Sequence, residues 1–266
     1  MAVRVSVLMG IYNCASTLPE ALESLLSQTY QGFKVIMCDD GSTDNTIQVA
    51  QDYVDIHPDK FILIKNECNM GLNFTLNRCL EYADTEFCAR MDGDDISMPT
   101  RFEKEINFLD THREYSIVST PMIYFDANGD FRTGKGGYSP TASDFINGRT
   151  FCHAPCMVRT EAYKRVNGYT VSKYLLRLED QHLWLKMYKE GYRGYNLEEC
   201  LYKMRDDRNA TRRRDFITRR NEMLHRLRIC RTFHLPVHNY ALSILIPVLK
   251  YIMPTRLYEY LHRNKS

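Results

Sequence analysis

Residues 87–95 read Phe-Cys-Ala-Arg-Met-Asp-Gly-Asp-Asp, an apolar run followed by three carboxylates around one glycine. Carboxylates this close repel one another, so keeping them ionised requires water or a cation among them. Hard oxygen ligands suit Mg²⁺ or Mn²⁺, which proteins often hold with one or two carboxylates together with substrate phosphates. The stretch therefore predicts a strand that ends in a metal and phosphate site. The alternative is a solvated Asp-Gly turn, the usual setting of such pairs.

The preceding chain alternates between strand-like and helix-like patterns. Strands are predicted at residues 3–9, 33–38, 61–65 and 86–91, and a helix follows each of the first three. Thr17 and Glu20 have capping-box spacing, and Ser42 or Thr43 is expected to cap the second helix. This alternation predicts an α/β fold with a mostly parallel, doubly wound sheet, whose ligands bind at the carboxyl ends of the strands.

Two acidic loops fall at the same edge of the predicted sheet. Asp39 and Asp40 follow the second strand, and Asp92, Asp94 and Asp95 follow the fourth. Because parallel strands point their carboxyl ends in one direction, these side chains can converge on one ligand. No glycine-rich dinucleotide motif or P-loop follows any strand, which argues against a dehydrogenase and a P-loop phosphotransferase.

The regular alternation stops after the helix that begins near Pro99. A strand is predicted at residues 117–125, a hairpin turn at 126–130 and a short helix within 139–151. An irregular half of this kind usually carries the pocket for a second substrate. Glu179 and Asp180 then open a helix, where they either complement the helix dipole or supply a general base.

The C-terminal part is basic and apolar. Residues 205–231 hold ten arginines, three of them at 212–214, against four acidic residues. Residues 240–253 are strongly apolar but shorter than the roughly 20 residues that span a bilayer, and Pro247 interrupts them. Lysine, arginine and tyrosine interleave from Lys250 to the end, which favours docking on an anionic membrane. The alternative is a helical hairpin packed on the catalytic domain or on a second subunit, forming a homodimer.

The remaining composition indicates an ordinary intracellular protein. Nine cysteines are scattered without a C-x-x-C pair, as expected for reduced thiols in a cytosolic protein. The N-terminus is too short and polar for the apolar region of a signal peptide, so we expect no export. Basic residues are not accompanied by an aromatic stacking motif, so nucleic acid is not an expected partner.

Six short motifs occur in order: Ser-Val-Leu-Met-Gly-Ile-Tyr-Asn at 6–13, Ser-Gln-Thr-Tyr at 27–30, Asp-Asp-Gly-Ser-Thr-Asp at 39–44, Asn-Met-Gly at 69–71, Asp-Gly-Asp-Asp at 92–95 and Glu-Asp at 179–180. With them, residues 3–210 resemble family 2 of the inverting nucleotide-sugar glycosyltransferases, which have the fold called GT-A. The family usually has proline where this chain has Gly10.

The resemblance implies a role for each matching residue. Tyr12 and Asp40 would hold the base of a uridine-type nucleotide, and Asp92 would orient the ribose or a metal-bound water. Asp94 would bind Mn²⁺ or Mg²⁺, and Asp180 would be the catalytic base. The other implied substrate contacts are Glu179 beside the base, His153 in the acceptor pocket and Arg205 near the diphosphate. For His153 a purely structural role stays open.

The resemblance also implies the reaction. Residues 69–77 and 89–92 are similar to enzymes that build bacterial capsule, O-antigen and exopolysaccharide. One sugar would pass from UDP-hexose or UDP-N-acetylhexosamine to a glycan acceptor, such as a polyprenyl-diphosphate-linked sugar, with inversion and metal dependence. The Q-x-x-R-W motif of processive synthases is absent. The rival predictions are a non-catalytic nucleotide-sugar-binding protein, which should lack the base, and a sugar nucleotidyltransferase, which should have a basic first loop.

The expected organisation is a GT-A catalytic domain at residues 1–210 and a helical appendage at 211–266. Within the domain, residues 1–98 form the nucleotide-sugar half and residues 99–210 the acceptor half. The enzyme is expected in the cytoplasm, in peripheral contact with the inner face of the cytoplasmic membrane.

Overall fold

The computed structural model describes residues 2–206 and 216–254. The strands, in chain order, are β1 (Val5–Ile11), β2 (Phe33–Asp39), β3 (Phe61–Lys65), β4 (Phe87–Arg90), β5 (Ile96–Ser97), β6 (Ile117–Ser119), β7 (Met122–Asp126), β8 (Gly129–Thr133), β9 (Met157–Arg159), β10 (Gly194–Asn196) and β11 (Tyr202–Arg205). The helices are α1 (Leu18–Leu26), α2 (Thr46–Ile56), α3 (Leu72–Glu81), α4 (Arg101–Thr111), α5 (Ala142–Ile146), α6 (Thr160–Arg165), α7 (Glu179–Lys189), α8 (Phe216–Thr232) and α9 (Val237–Ile252).

Within the described residues, seven strands form one sheet in the order β10-β6-β9-β4-β1-β2-β3. β1 lies parallel to both β2 and β4, and β3 lies parallel to β2, as the alternation of strands and helices predicts. β9 is the exception, because it runs antiparallel to its neighbours β4 and β6. The predicted α/β fold with a mostly parallel sheet is confirmed.

The central strand β1 joins two apolar layers. Val5, Val7 and Met9 pack in the layer that contains the apolar faces of α1 and α4. Leu8 points to the opposite layer, with α3 and α7. This alternation follows from the two-residue period of strand side chains. Helices on both faces leave the sheet edges as the places where loops can meet a ligand.

A second, four-stranded sheet has the order β5-β11-β7-β8 in the described part of the chain. The single strand predicted at residues 117–125 is wrong: β6 belongs to the large sheet and β7 to the small one. Thr120 and Pro121 separate them, and proline has no N–H with which to continue a ladder. The predicted turn at 126–130 is confirmed, since Asp126 pairs with Gly129 across the β7–β8 hairpin.

The predicted capping box at Thr17 and Glu20 is wrong. The Thr17 hydroxyl does not cap α1. It donates to the backbone oxygen of Cys14 at 3.2 Å and to that of Gly93 at 3.0 Å. Thr17 therefore connects the loop after β1 with the acidic loop after β4.

The C-terminal helices α8 and α9 form a hairpin. The rings of Phe216 and Tyr251 lie 6.1 Å apart at its open end, and Cys230 Sγ lies 3.3 Å from Ser243 Oγ near the connection. The Arg226 guanidinium bonds to the Ile146 oxygen and so ties α8 to α5. No helix in the described ranges is both long enough and apolar enough to cross a bilayer. The predicted 210/211 boundary, the arginines at 212–214 and the chain from 255 onward lie outside the described residues.

Candidate active site

Side chains link the loops after β1 and β2. The Asn13 N–H donates to Ser42 Oγ at 3.0 Å, and the Asn13 side-chain oxygen accepts from the Thr43 N–H at 2.8 Å. These contacts replace the predicted capping role of Ser42 or Thr43, because α2 begins only at Thr46. Asp44 Oδ1 instead accepts from the Thr46 N–H at 3.0 Å. The loops after β1, β2 and β4 therefore meet at one sheet edge, as predicted.

Gly93 is needed for the close approach of the acidic loop to the loop after β1. A Cβ atom at Gly93 would lie 2.9 Å from Cys14 Sγ and 3.5 Å from Ile11 Cγ2. A larger residue at this position would displace the Cys14 side chain, whereas the contact with Ile11 would be an ordinary one.

Asp39 has one carboxylate oxygen available at the end of β2. Its Oδ2 accepts the N–H groups of Gly41 and Ser42, each at 3.1 Å. Its Oδ1 is buried and has no hydrogen-bond partner among the described residues. A buried acceptor without a partner costs about 1–3 kcal/mol, so this oxygen is suited to receive a donor from a ligand.

Asp40 is already fully bonded. Its Oδ1 accepts from Asn66 Nδ2 and from the Met70 N–H, both at 2.8 Å, and its Oδ2 accepts from the Gly71 N–H at 2.9 Å. The Asn-Met-Gly motif therefore holds Asp40 in place. These contacts argue against the predicted contact between Asp40 and the nucleotide base, and they make Asp39 the better candidate.

Arg90 is the residue that the sequence interpretation missed. It is 2% exposed at the end of β4, and its Nη1 lies 2.6 Å from Asp92 Oδ1. Its positive charge also lowers the pKa values of Asp94, Asp180 and His153. A signal was present, since an arginine that ends a buried strand needs a charged partner nearby.

The carboxylates of the acidic loop crowd one another. Asp94 is exposed, yet the surrounding protein and the charge of Asp92 raise its pKa. Asp95 is buried, and burial followed by the charges of Asp92 and Asp94 raises its pKa well above the ordinary value. A divalent cation would relieve this repulsion.

Asp92 and Asp94 are the residues that fit such an ion. In the described part of the chain, no group of three or more His, Cys, Asp or Glu side chains is arranged to hold a metal. One or two carboxylate ligands match the way proteins hold Mg²⁺ beside substrate phosphates.

Arg205 lies against the acidic loop. Its Nε donates to the Asp94 backbone oxygen at 3.0 Å, and its backbone N–H donates to Asp95 Oδ1 at 2.8 Å. The guanidinium also pairs with Glu20 Oε2 at 2.5 Å and lies 4.5 Å from the centre of the Phe125 ring. Glu20, which was predicted to be a capping residue, thus acts as a counterion.

Asp180 occupies the first turn of α7. Burial, and then the charge of Glu179, raise the pKa of Asp180 to about 6, while hydrogen bonding to the Gln181 backbone and the charge of Arg90 oppose this shift. A carboxyl group with a pKa near the working pH is suited to accept a proton. Glu179 Oε1 accepts from the Arg177 N–H at 2.8 Å and so fixes the entry to the helix.

His153 and Tyr12 occupy different environments. His153 Nε2 lies 2.8 Å from the Tyr169 hydroxyl. Burial, and then the charge of Arg90, lower the pKa of His153 well below its ordinary value, so the ring is neutral at neutral pH. This favours the structural alternative over binding of a diphosphate by charge. Tyr12 is 48% exposed on the loop after β1, where its ring is accessible to a base.

A mostly parallel sheet with an acidic loop at the carboxyl end of its middle strand, here β4, is the arrangement found in the GT-A class of glycosyltransferases. A solved structure with this fold is the mannosyltransferase PcManGT from Pyrobaculum calidifontis in complex with GDP-Man and Mn²⁺. It aligns with a TM-score of 0.71 at 19% identity, covering 100% of this chain and 77% of that one.

The chain belongs to glycosyltransferase family 2. The profile of Glycosyl transferase family 2 matches residues 6–166. The putative glycosyltransferase EpsE of Bacillus subtilis (strain 168) is 40% identical over 262 residues, which are 98% of this chain and 94% of EpsE. Another relative is the Escherichia coli UDP-Glc:α-D-GlcNAc-diphosphoundecaprenol β-1,3-glucosyltransferase WfaP. It is 29% identical over 75% of this chain and 77% of WfaP. The protein is therefore an enzyme that transfers sugars.

Proposed function

We propose that this enzyme transfers one hexose or N-acetylhexosamine from a UDP-sugar to a polyprenyl-diphosphate-linked sugar, with inversion and with Mn²⁺ or Mg²⁺. The observation that carries this proposal is the shared arginine: Arg90 pairs with Asp92 of the acidic loop, and its charge also reaches Asp180. In this proposal the carboxylates on the donor side and on the acceptor side belong to one site. The relative WfaP, named as a glucosyltransferase that uses UDP-Glc and a lipid-diphosphate-linked GlcNAc, supports this substrate class.

Asp39 and Tyr12 bind the nucleotide in this proposal. Asp39 Oδ1 accepts the ring N–H of uracil, which gives a buried acceptor its missing partner. Tyr12 stacks on the base from the loop after β1. Asp92, held by Arg90, orients the ribose.

Asp94, with Asp92 beside it, would hold the divalent cation. A bound Mn²⁺ or Mg²⁺ supplies Lewis-acid stabilisation of the negative charge that develops on the leaving diphosphate. Arg205 at the same loop adds a fixed positive charge on the diphosphate side. The guanidinium is paired with Glu20, whose negative charge weakens the attraction between Arg205 and phosphate.

Asp180 is the general base. Its carboxylate takes the proton of the attacking acceptor hydroxyl while the new bond forms between that oxygen and the anomeric carbon. The bond from the anomeric carbon to the diphosphate breaks, and UDP leaves with the electron pair. Attack on the face opposite the diphosphate inverts the anomeric configuration. A base at this position argues against nucleotide-sugar binding alone, and residues 10–17, which contain no lysine or arginine, argue against nucleotidyl transfer.

The test is a donor screen that measures release of nucleoside diphosphate with and without a polyprenyl-diphosphate GlcNAc acceptor. We expect UDP release that requires the acceptor and Mn²⁺ or Mg²⁺ and stops when the metal is chelated. Asp94→Ala should lower the turnover about 10- to 100-fold, because the diphosphate and Asp92 still retain part of the metal shell. Asp52→Ala, on the exposed face of α2, is the control and should be unchanged. Transfer at the full rate without metal would contradict the metal assignment.

A pair of variants distinguishes Asp39 from Asp40. In Asp39→Asn, two N–H groups keep the amide oxygen at the Oδ2 position, so the NH₂ would face the uracil N–H. We expect UDP to bind about 10- to 100-fold more weakly, as for other mismatched buried donors. In Asp40→Asn, the side-chain NH₂ would instead face the backbone N–H of Met70 or of Gly71, so that two donors meet. This variant should lower the free energy of unfolding by about 1–3 kcal/mol. Calorimetric titration with UDP measures the affinity, and urea denaturation measures the free energy of unfolding. The reverse pattern would restore Asp40 as the base-binding residue.

A further inference from the structure

Helix α9 buries its polar side. Asn239 is 3% exposed and Ser243 is 0% exposed, and Pro247 is also buried. Ser243 Oγ bonds to the Asn239 backbone oxygen at 2.7 Å and lies near Cys230 of α8. A surface helix of a globular protein normally places its apolar side inward, so α9 is inverted.

The opposite side of α9 carries large apolar side chains in solvent. These are Val237, Ile244, Leu245, Val248, Leu249, Tyr251 and Ile252, between 44% and 84% exposed. At 3.6 residues per turn they share about one half of the helix circumference. Phe216 of α8, 63% exposed, extends the surface through its ring contact with Tyr251. We call these residues the outward face of α9. Contiguous exposed apolar surfaces of this kind usually mark an interaction site.

The α8–α9 hairpin that carries the outward face is basic. Residues 216–254 contain five arginines and one lysine but a single acidic residue, Glu222. Glu222 is 6% exposed, and Arg219, Arg226 and Lys250 pair with it at 2.5, 2.7 and 2.9 Å. The negative charge of Glu222 is therefore buried and neutralised, whereas Arg231 is exposed to solvent.

We infer that the outward face of α9 inserts into the headgroup region of an anionic membrane, with the helix lying along the surface. An exposed apolar face on a basic hairpin, whose one acidic residue is buried and paired, matches an anionic lipid surface. At 16 residues, α9 is roughly 24 Å long, shorter than the roughly 30 Å hydrocarbon core, so it lies on the bilayer rather than across it. This inference deepens the proposed function, since a polyprenyl-diphosphate acceptor resides in the same surface.

The test is flotation of the full chain with vesicles of phosphatidylcholine, alone or with about one third phosphatidylglycerol. The wild type should float with the anionic vesicles and more weakly with the neutral ones. Leu249→Glu should reduce binding about tenfold or more, because burying one leucine is worth at least that factor. Ile56→Glu is the matched control, since Ile56 is 69% exposed on α2; it should float like the wild type.

Three results would overturn the inference. If Leu249→Glu floats as well as the wild type, the inference is contradicted. A wild type that stays unbound and dimeric, and that Leu249→Glu converts to a monomer, would assign the face to a second copy of the chain. A wild type that binds only after deletion of residues 255–266 would assign the face to the chain's own C-terminus.

Turnover with a water-soluble short-chain acceptor separates this inference from the proposed function. Leu249→Glu should match the wild type in that assay and fall behind it with a long-chain acceptor in vesicles. Vesicle binding without turnover of any acceptor would reject the proposed function and leave the membrane surface in place. Turnover without vesicle binding would reject the membrane surface and leave the proposed function in place.

Discussion

Replacing Asp180 with asparagine is expected to lower kcat about 10²- to 10⁴-fold, the usual contribution of a general base, while leaving the affinity for the UDP-sugar unchanged. The amide keeps the shape of the side chain but cannot take the proton of the acceptor hydroxyl. Initial rates and calorimetric titration with UDP measure the two quantities. Glu190→Gln, at the exposed residue that follows the last residue of α7, is the control for a change of charge near the same helix.

The pH dependence gives a second measurement of the same assignment. The pKa of Asp180 is raised to about 6, so its carboxyl is protonated below that pH and ionised above it. Transfer should therefore rise as the pH increases through about 6, and this limb should be absent in Asp180→Asn. Wild-type transfer that is equally fast on both sides of this pH would contradict the assignment.

Stability should change in the opposite direction to activity. A carboxyl whose pKa is raised by folding binds its proton more tightly in the folded state, so its unfavourable contribution grows from about pH 4 to about pH 6. At neutral pH, Asp180→Asn removes a desolvated charge and should raise Tm. A variant that is inactive yet more heat-stable cannot owe its inactivity to unfolding.

The sequence was sufficient to predict the structure where a pattern is local or where the sheet topology is regular. β3 was predicted with its observed bounds, Phe61–Lys65, because its apolar run is flanked by polar turns. The meeting of the loops after β2 and β4 followed from parallel pairing of both strands with β1. Neither prediction required knowledge of a particular side-chain contact.

The sequence was insufficient where a distant contact decides the outcome. Whether Asp39 or Asp40 faces a ligand depends on the backbone of Met70 and Gly71, which bonds to Asp40 from another loop. β9 has only three residues, too few for a periodic signal, yet it separates β4 from β6. The apolar content of α9 was evident, but the choice of its polar side as the buried one comes from packing against α8.

Replacing Arg90 with methionine is expected to lower the free energy of unfolding by about 1–3 kcal/mol, because Asp92 loses its charged partner while its side chain, 31% exposed, keeps access to water. Arg90 is buried, and it lies 2.6 Å from Asp92 in a region that also contains the carboxyls of Asp94 and Asp180. Urea denaturation measures the loss. Arg165→Met, which breaks the exposed pair with Glu190, is the matched control and should cost no more than about 1 kcal/mol.

If the role of Arg90 were purely structural, its replacement would change only the free energy of unfolding. The charge of Arg90 also affects the pKa of the proposed base, Asp180. Arg90 lowers the pKa of Asp180, so its removal should raise that pKa and shift the acid limb of the pH–rate profile upward from about 6. Arg90→Lys retains the positive charge and should keep the limb near its wild-type position, even if the loss of guanidinium geometry lowers stability. This variant keeps the experiment informative where Arg90→Met does not fold. If Arg90→Met folds and its limb coincides with that of the wild type, the charge of Arg90 does not reach the catalytic carboxylate, and the two halves of the site are electrostatically independent.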